Sequence, residues 1–174
     1  MLWPGGVFAA LVVVLLTLAA CADIATRTIP DAIAIALTLI GMAARLFIGP
    51  SAVLVSVAVA LTLFLLLVLL HARGMIGGGD VKLAAALCFG LSLHGTQRFI
   101  VVTVIAGGVL ALFHLAARWA LRNLPLHAPP PRGTNSLRRI FVVERWRIAR
   151  HGPLPYGVAI ACGGIWTVLS GPGN

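Results

Sequence analysis

Apolar residues run through this chain in long unbroken blocks, and polar residues collect in the gaps between them. There is no stripe of period 3.6 and no alternation of period 2, so neither an amphipathic surface helix nor a half-buried strand describes these blocks. Their length suits helices that cross a hydrocarbon layer about 30 Å thick. Six segments are predicted, near 3–22, 32–48, 52–71, 81–93, 99–121 and 156–169. The third is the most secure, because Val53 to Leu70 is eighteen residues without a charge. The fourth is short: Leu83 to Gln97 is fifteen residues, roughly 22 Å at the helical rise. It is expected to start below the membrane surface, with Asp80 near that level. The pattern predicts an all-α, polytopic integral membrane protein of about six transmembrane helices, one domain over residues 1–174 with a basic loop at about 122–155.

Composition narrows the class. The 174 residues are 60% hydrophobic and 10% charged, with a mean hydropathy of +1.06, whereas soluble domains carry about 25% charged residues. Leu18-Ala19-Ala20-Cys21 matches a lipoprotein cleavage box. No Lys or Arg precedes Arg27 to form the basic region of a signal peptide, so the first block is read as a retained helix. Cys21, Cys88 and Cys162 are isolated among apolar residues and are read as small hydrophobes rather than as a disulfide framework or zinc site.

Net charge is +9, yet the basic residues lie between apolar blocks and no nucleic-acid-binding motif is present. Their distribution instead sets topology. Loops one, three and five with their helix ends hold Arg27, Arg73, Lys82, Arg118, Arg122, Arg132, Arg138, Arg139, Arg145, Arg147 and Arg150, eleven of the 13 Lys and Arg. The other face has only Arg45 and Arg98. Those three loops are therefore expected on the cytoplasmic side, both termini outside, and Asp23 and Asp80 on one common face. The fifth loop opens with Pro125 and Pro129-Pro130-Pro131, an extended stretch. Residues 136–150 then pattern as a basic amphipathic helix, either resting on an anionic leaflet of membrane lipids or serving as a solvated topology determinant.

Only four residues are acidic, and ionisable groups near membrane depth are costly and usually functional. Asp80 follows Gly77-Gly78-Gly79, whose backbone can take conformations closed to other residues and let another chain approach closely. Asp80 is expected to open the fourth helix at its N-cap, where ionisation is favoured while burial opposes it. Asp23 ends the first block. Pro30 suits the first turn of the second helix and Asp31 its positive end, a sufficient structural reason for Asp31. Asp23 is therefore the preferred partner of Asp80. Two adjacent carboxylates share a proton; the ionised one can deprotonate an attacking water while the protonated one hydrogen-bonds a peptide carbonyl. This chemistry needs no metal or cofactor. On the residues alone, a small transporter or proton-conducting subunit with relay aspartates stands level with proteolysis, and a non-catalytic assembly factor is a third class.

Gly77-x-Gly79-Asp80-x-Lys82-Leu83 resembles the GxGDxKL motif of type IV prepilin peptidases. Asp23, followed six and seven residues on by Ile29-Pro30, resembles that family's first catalytic motif. The stretch from Leu154 through Pro155, Tyr156 and Gly157 to Ala161 resembles the segment opening its last helix. The resemblance implies a membrane-embedded aspartyl endopeptidase that removes short basic leaders from prepilins or pseudopilins at the cytoplasmic face of the bacterial inner membrane. Asp23 and Asp80 would be catalytic, and Gly77, Gly78, Gly79 and Lys82 would bind substrate, the glycines by pairing with an extended chain. Larger bifunctional members carry paired CxxC motifs with no counterpart here, so N-methyltransferase activity is not implied. The compact size is similar to the short Flp-type (tight-adherence) peptidases, with archaeal preflagellin peptidases a related group. A basic leader would be repelled by the fifth loop and attracted by Asp31 and Glu144.

The remaining polar and small residues read structurally. Gly107-Gly108, Gly157 and Gly163-Gly164 are expected at close helix packing. His71, His94 and His114 are scattered rather than set at metal-ligand spacing. The four tryptophans fit interfacial anchoring or packing.

Overall fold

The computed structural model describes residues 5–121 and 154–171. The described helices are α1 (Gly5–Thr26), α2 (Asp31–Ile48), α3 (Pro50–Ala72), α4 (Gly78–Cys88), α5 (Leu93–Leu121) and α6 (Tyr156–Leu169); no strand occurs among the described residues. Four of them, α1, α2, α3 and α5, are long and apolar enough to cross a membrane, and α6 is a shorter apolar helix. The chain is thus a multi-pass membrane protein. The amphipathic helix expected over 136–150, the proline stretch before it and Glu144 lie outside the described residues.

Three boundaries differ from those the hydropathy pattern predicts. Helix α1 continues to Thr26, so Asp23 stands inside its last turn; the Thr26 hydroxyl turns back to the Ala22 carbonyl at 2.9 Å instead of competing with the helix. Helix α4 ends at Cys88 rather than near residue 93. Helix α5 begins at Leu93, ahead of the apolar block, because the Ser92 hydroxyl accepts the Gly95 N–H at 3.0 Å and caps its first turn. Between α2 and α3 the chain reverses at Gly49, whose φ of 137° suits glycine, and Pro50 opens α3 where a missing N–H costs nothing.

The shortest helix lies at the centre. Helix α4 has eleven residues, about 16 Å of length, and Val81 together with Leu83 to Cys88 is buried. It packs on α2, α3 and α6, while α1 lies against α2 and α6, and α5 against α6. Leu16, Leu37, Leu83, Leu87, Phe99 and Ile160 form the core. Leu39, Leu54, Val104 and Phe113 point outward, as expected of a surface solvated by lipid.

Small residues allow the close approaches. A methyl at Gly41 would stand 2.6 Å from the Gly90 nitrogen, so α2 touches the backbone after α4 directly. Gly163 meets Thr103 and Phe99 of α5, Gly164 meets Leu16 and Leu87, and Gly107 lies under Tyr156, all as small-residue packing predicts. Gly108 faces open space and Gly157 has a different neighbour. Cys88 is buried, but Cys21 and Cys162 face outward instead of packing inside; all three thiols are free.

Candidate active site

One end of the bundle gathers the C-terminal turn of α1, the Ile29-Pro30 connection, the start of α4 and the start of α6. Asp80 is not the N-cap of α4, as its position after the glycines suggests. Gly77 is the N-cap and Asp80 sits in the first turn, three residues later. From there its carboxylate accepts a hydrogen bond from the Gly77 N–H, the backward half of a capping box. A methyl at Gly77 would stand 2.9 Å from Asp80 Oδ2.

The glycines therefore matter for what they lack rather than for unusual backbone. Gly77 is extended, with φ −69°, and none of the three is among the positive-φ residues. A side chain at Gly78 would meet His71, whose Nδ1 is 2.7 Å from the Ile76 carbonyl. One at Gly79 would press on Ile29 at 3.4 Å. The Ile29-Pro30 element and the glycine element are thus two sides of one contact, and that contact seats the start of α4 against the connection between α1 and α2.

Asp23 is held by a helix distant in sequence. It is 7% exposed, and its Oδ2 accepts the Gly157 N–H at 2.9 Å. Gly157 lies in the first turn of α6 behind Pro155, where backbone N–H groups lack intrahelical partners and the helix end is positive. A methyl on Gly157 would come within 2.9 Å of Asp23 Oδ2 and 3.1 Å of its Cβ and Cγ. The sequence reading of Gly157 as helix packing missed this contact. Pro155-Tyr156-Gly157 does signal a helix start, but it does not say which anion the free N–H receives.

Both carboxylates thus sit at the N-terminal turns of short helices, and they sense each other. Asp80 is pushed up to about 6, first by burial and then by the negative charge of Asp23; the Gly77 N–H and the Arg27 guanidinium pull the other way. The capping bond alone is a structural role that any carboxylate in a first turn can fill. It does not account for a half-buried carboxylate set within reach of another's charge.

Arg27 joins the site unannounced by the sequence, where it counts only toward topology. It ends α1 in the left-handed region, φ 59°, with its N–H on the Asp23 carbonyl at 2.9 Å.

Lys82 is placed elsewhere. Two residues after Asp80, it lies about 200° around the helix, and its Nζ bonds Asp31 Oδ1 at 2.9 Å in an exposed ion pair. Asp31, at the first turn of α2 as expected, has that pairing as a structural function. Pro30 is the N-cap residue just ahead of α2 rather than within its first turn.

Fold and site together define a polytopic helical membrane protein with two neighbouring aspartates at one end of its bundle. The sequence model of the type IV leader peptidase family matches residues 10–112, an interval that includes both aspartates, and the chain belongs to that family. It is accordingly a protease of the leader-peptidase kind, and the proton-relay alternative loses its ground. Comparison with curated proteins and with solved structures gives no match. Helix α6, which holds the Asp23 carboxylate, lies outside the matched interval.

Proposed function

We propose that this protein is an aspartyl endopeptidase that cuts short basic leaders from prepilins or pseudopilins, with Asp23 and Asp80 as its catalytic pair. The observation that carries this reading is the electrostatic coupling of two carboxylates from different helices, one buried on the Gly157 N–H and the other raised to about 6 by burial and by its neighbour's charge. In the reactive form the pair holds one proton between its two carboxylates. As water attacks the scissile carbonyl carbon, the ionised member takes a proton from that water, and the hydroxyl of the protonated member hydrogen-bonds the carbonyl oxygen. Collapse of the tetrahedral intermediate breaks the C–N bond. The proton taken from water passes to the leaving amine, and the pair returns to its singly protonated form.

Family membership supports the peptidase class, and the distribution of basic residues supports a site on the cytoplasmic face of a bacterial inner membrane. Of the three glycines, Gly77 is exposed and extended just ahead of α4 and is the one whose backbone an extended substrate could approach; Gly78 and Gly79 are helical and face His71 and Ile29.

The test is co-expression with a candidate prepilin, a Flp-type one first, and a blot for the leader-sized shift. Asp23→Asn and Asp80→Asn should each abolish processing, while Asp31→Asn leaves it within about twofold, since exposed ion pairs contribute little. Processing at the normal rate by either of the first two variants would sink the pair.

A further inference from the structure

At the end of the bundle opposite the aspartates is a cavity of about 290 Å³. Its walls come from the start of α1, the end of α2, the turn between α4 and α5, and the end of α6. They are mostly apolar, yet Arg45 and Arg98 both line it. These are the only two basic residues of the 13 on the side that the arginine distribution leaves nearly uncharged. Topology gives no reason for either, and they converge on one space.

Helix-end electrostatics does not absorb them. Arg45 is in the last turn of α2, where a cation is favourable, but its Nε is buried with no hydrogen-bond partner among the described residues. Among the described residues Arg98 reaches only the Gly171 carbonyl, at a long 3.5 Å. Asp23, Asp31 and Asp80, all the carboxylates among the described residues, are at the other end of the bundle. Two guanidiniums at one end of the bundle, with no carboxylate among the described residues to meet them, suit an anion from outside the chain. At the rim, Phe47 and Ile48 are 74% and 54% exposed, so the cavity opens toward lipid. A small inorganic anion would leave those apolar walls unused.

We propose that this cavity binds one anionic phospholipid, its phosphate between Arg45 and Arg98 and an acyl chain along Phe8, Val12, Leu37 and Ile40. Such a lipid would lock the ends of α1, α2 and α6 together in the leaflet away from the aspartates. The site stands apart from the peptidase reading, and its test does not use cleavage.

The full-length protein in neutral detergent is mixed with phosphatidylglycerol or with phosphatidylcholine of the same chains, and retained lipid is read by native mass spectrometry. Wild type should retain one phosphatidylglycerol, with at least about fivefold preference over phosphatidylcholine. Arg45→Gln/Arg98→Gln should bring the preference to parity, and Arg98→Gln alone should lower it should the double variant not fold. Ala9→Phe, which fills the cavity from α1 without touching charge, should reduce retention of both lipids. Equal retention of the two lipids by wild type, or a preference that survives loss of both arginines, would overturn the proposal. So would full displacement of phosphatidylglycerol by an equal concentration of inorganic phosphate.

Discussion

At the scale of single residues, the site depends on hydrogen atoms where side chains would otherwise be. Gly157 is the sharpest case, because the added methyl would collide with the Asp23 carboxylate itself. Gly157→Ala should slow leader processing on the order of 10–100-fold, the cost of displacing a catalytic group by about 1 Å, while the protein still purifies as a folded species. Gly108→Ala, in open space on α5, is the matched control and should leave the rate unchanged in the same time course. Asp80 yields a second prediction. Its pKa is about 6 against an ordinary 3.8, so between those values the unfolded chain gives up a proton that the folded one keeps. Folded-state stability therefore falls as pH rises from about 4 to 6 and stays reduced above. Asp80→Asn removes the penalty: it should melt higher than wild type at pH 7, with the gap closing at pH 4. A variant that is no more stable at pH 7 would contradict the burial of Asp80. The two aspartates were legible in the sequence because carboxylates are so few there. Their donors were not, since a backbone N–H carries no signature in a string of residue names.

At the scale of elements, apolar blocks announced the long helices, and local chemistry set their ends. The Ser92 hydroxyl starts α5 six residues ahead of its apolar block, a cap that the sequence displays and hydropathy overlooks. The shortness of α4 was readable, but its central position was not, because burial on every side depends on partners distant in the chain. Helical periodicity could have turned Lys82 away from Asp80; the motif, read as a unit, drew them together. The packing of α2 against the turn after α4 gives the prediction at this scale. Gly41→Ala would set a methyl 2.8 Å from the Gly90 Cα and closer still to its nitrogen, and backbone cannot swing aside as a side chain can. The expected cost is about 1–3 kcal/mol, read as a lowered melting temperature in detergent, with Gly6→Ala, where nothing lies within 4 Å, as the neutral comparison.

At the scale of the whole molecule, the two ends of the bundle carry different groups. Asp23, Asp31 and Asp80 share one end with Arg27, Arg73 and Lys82, and Arg45 and Arg98 lie at the other. If the end bearing Asp23 and Asp80 faces the cytoplasm, a reporter fused after Arg139 should be active there. An alkaline-phosphatase fusion at that point that works outside the cytoplasm would invert the arrangement and place the pair on the wrong side for a leader that has not yet crossed. The sequence predicts this orientation from arginine positions alone, because they are read in sequence order without any knowledge of packing.

The bond from Gly157 to Asp23 spans 134 residues of chain, and it imposes an order on biogenesis. A nascent chain that has inserted α1 through α5 already contains both aspartates, but the Asp23 carboxylate has no helix end to hold it. Synthesis and insertion of α6 bring that donor. If Asp23 is half of a catalytic pair, copies translated only through α5 should be inactive in the membrane, and activity should appear once α6 is in place.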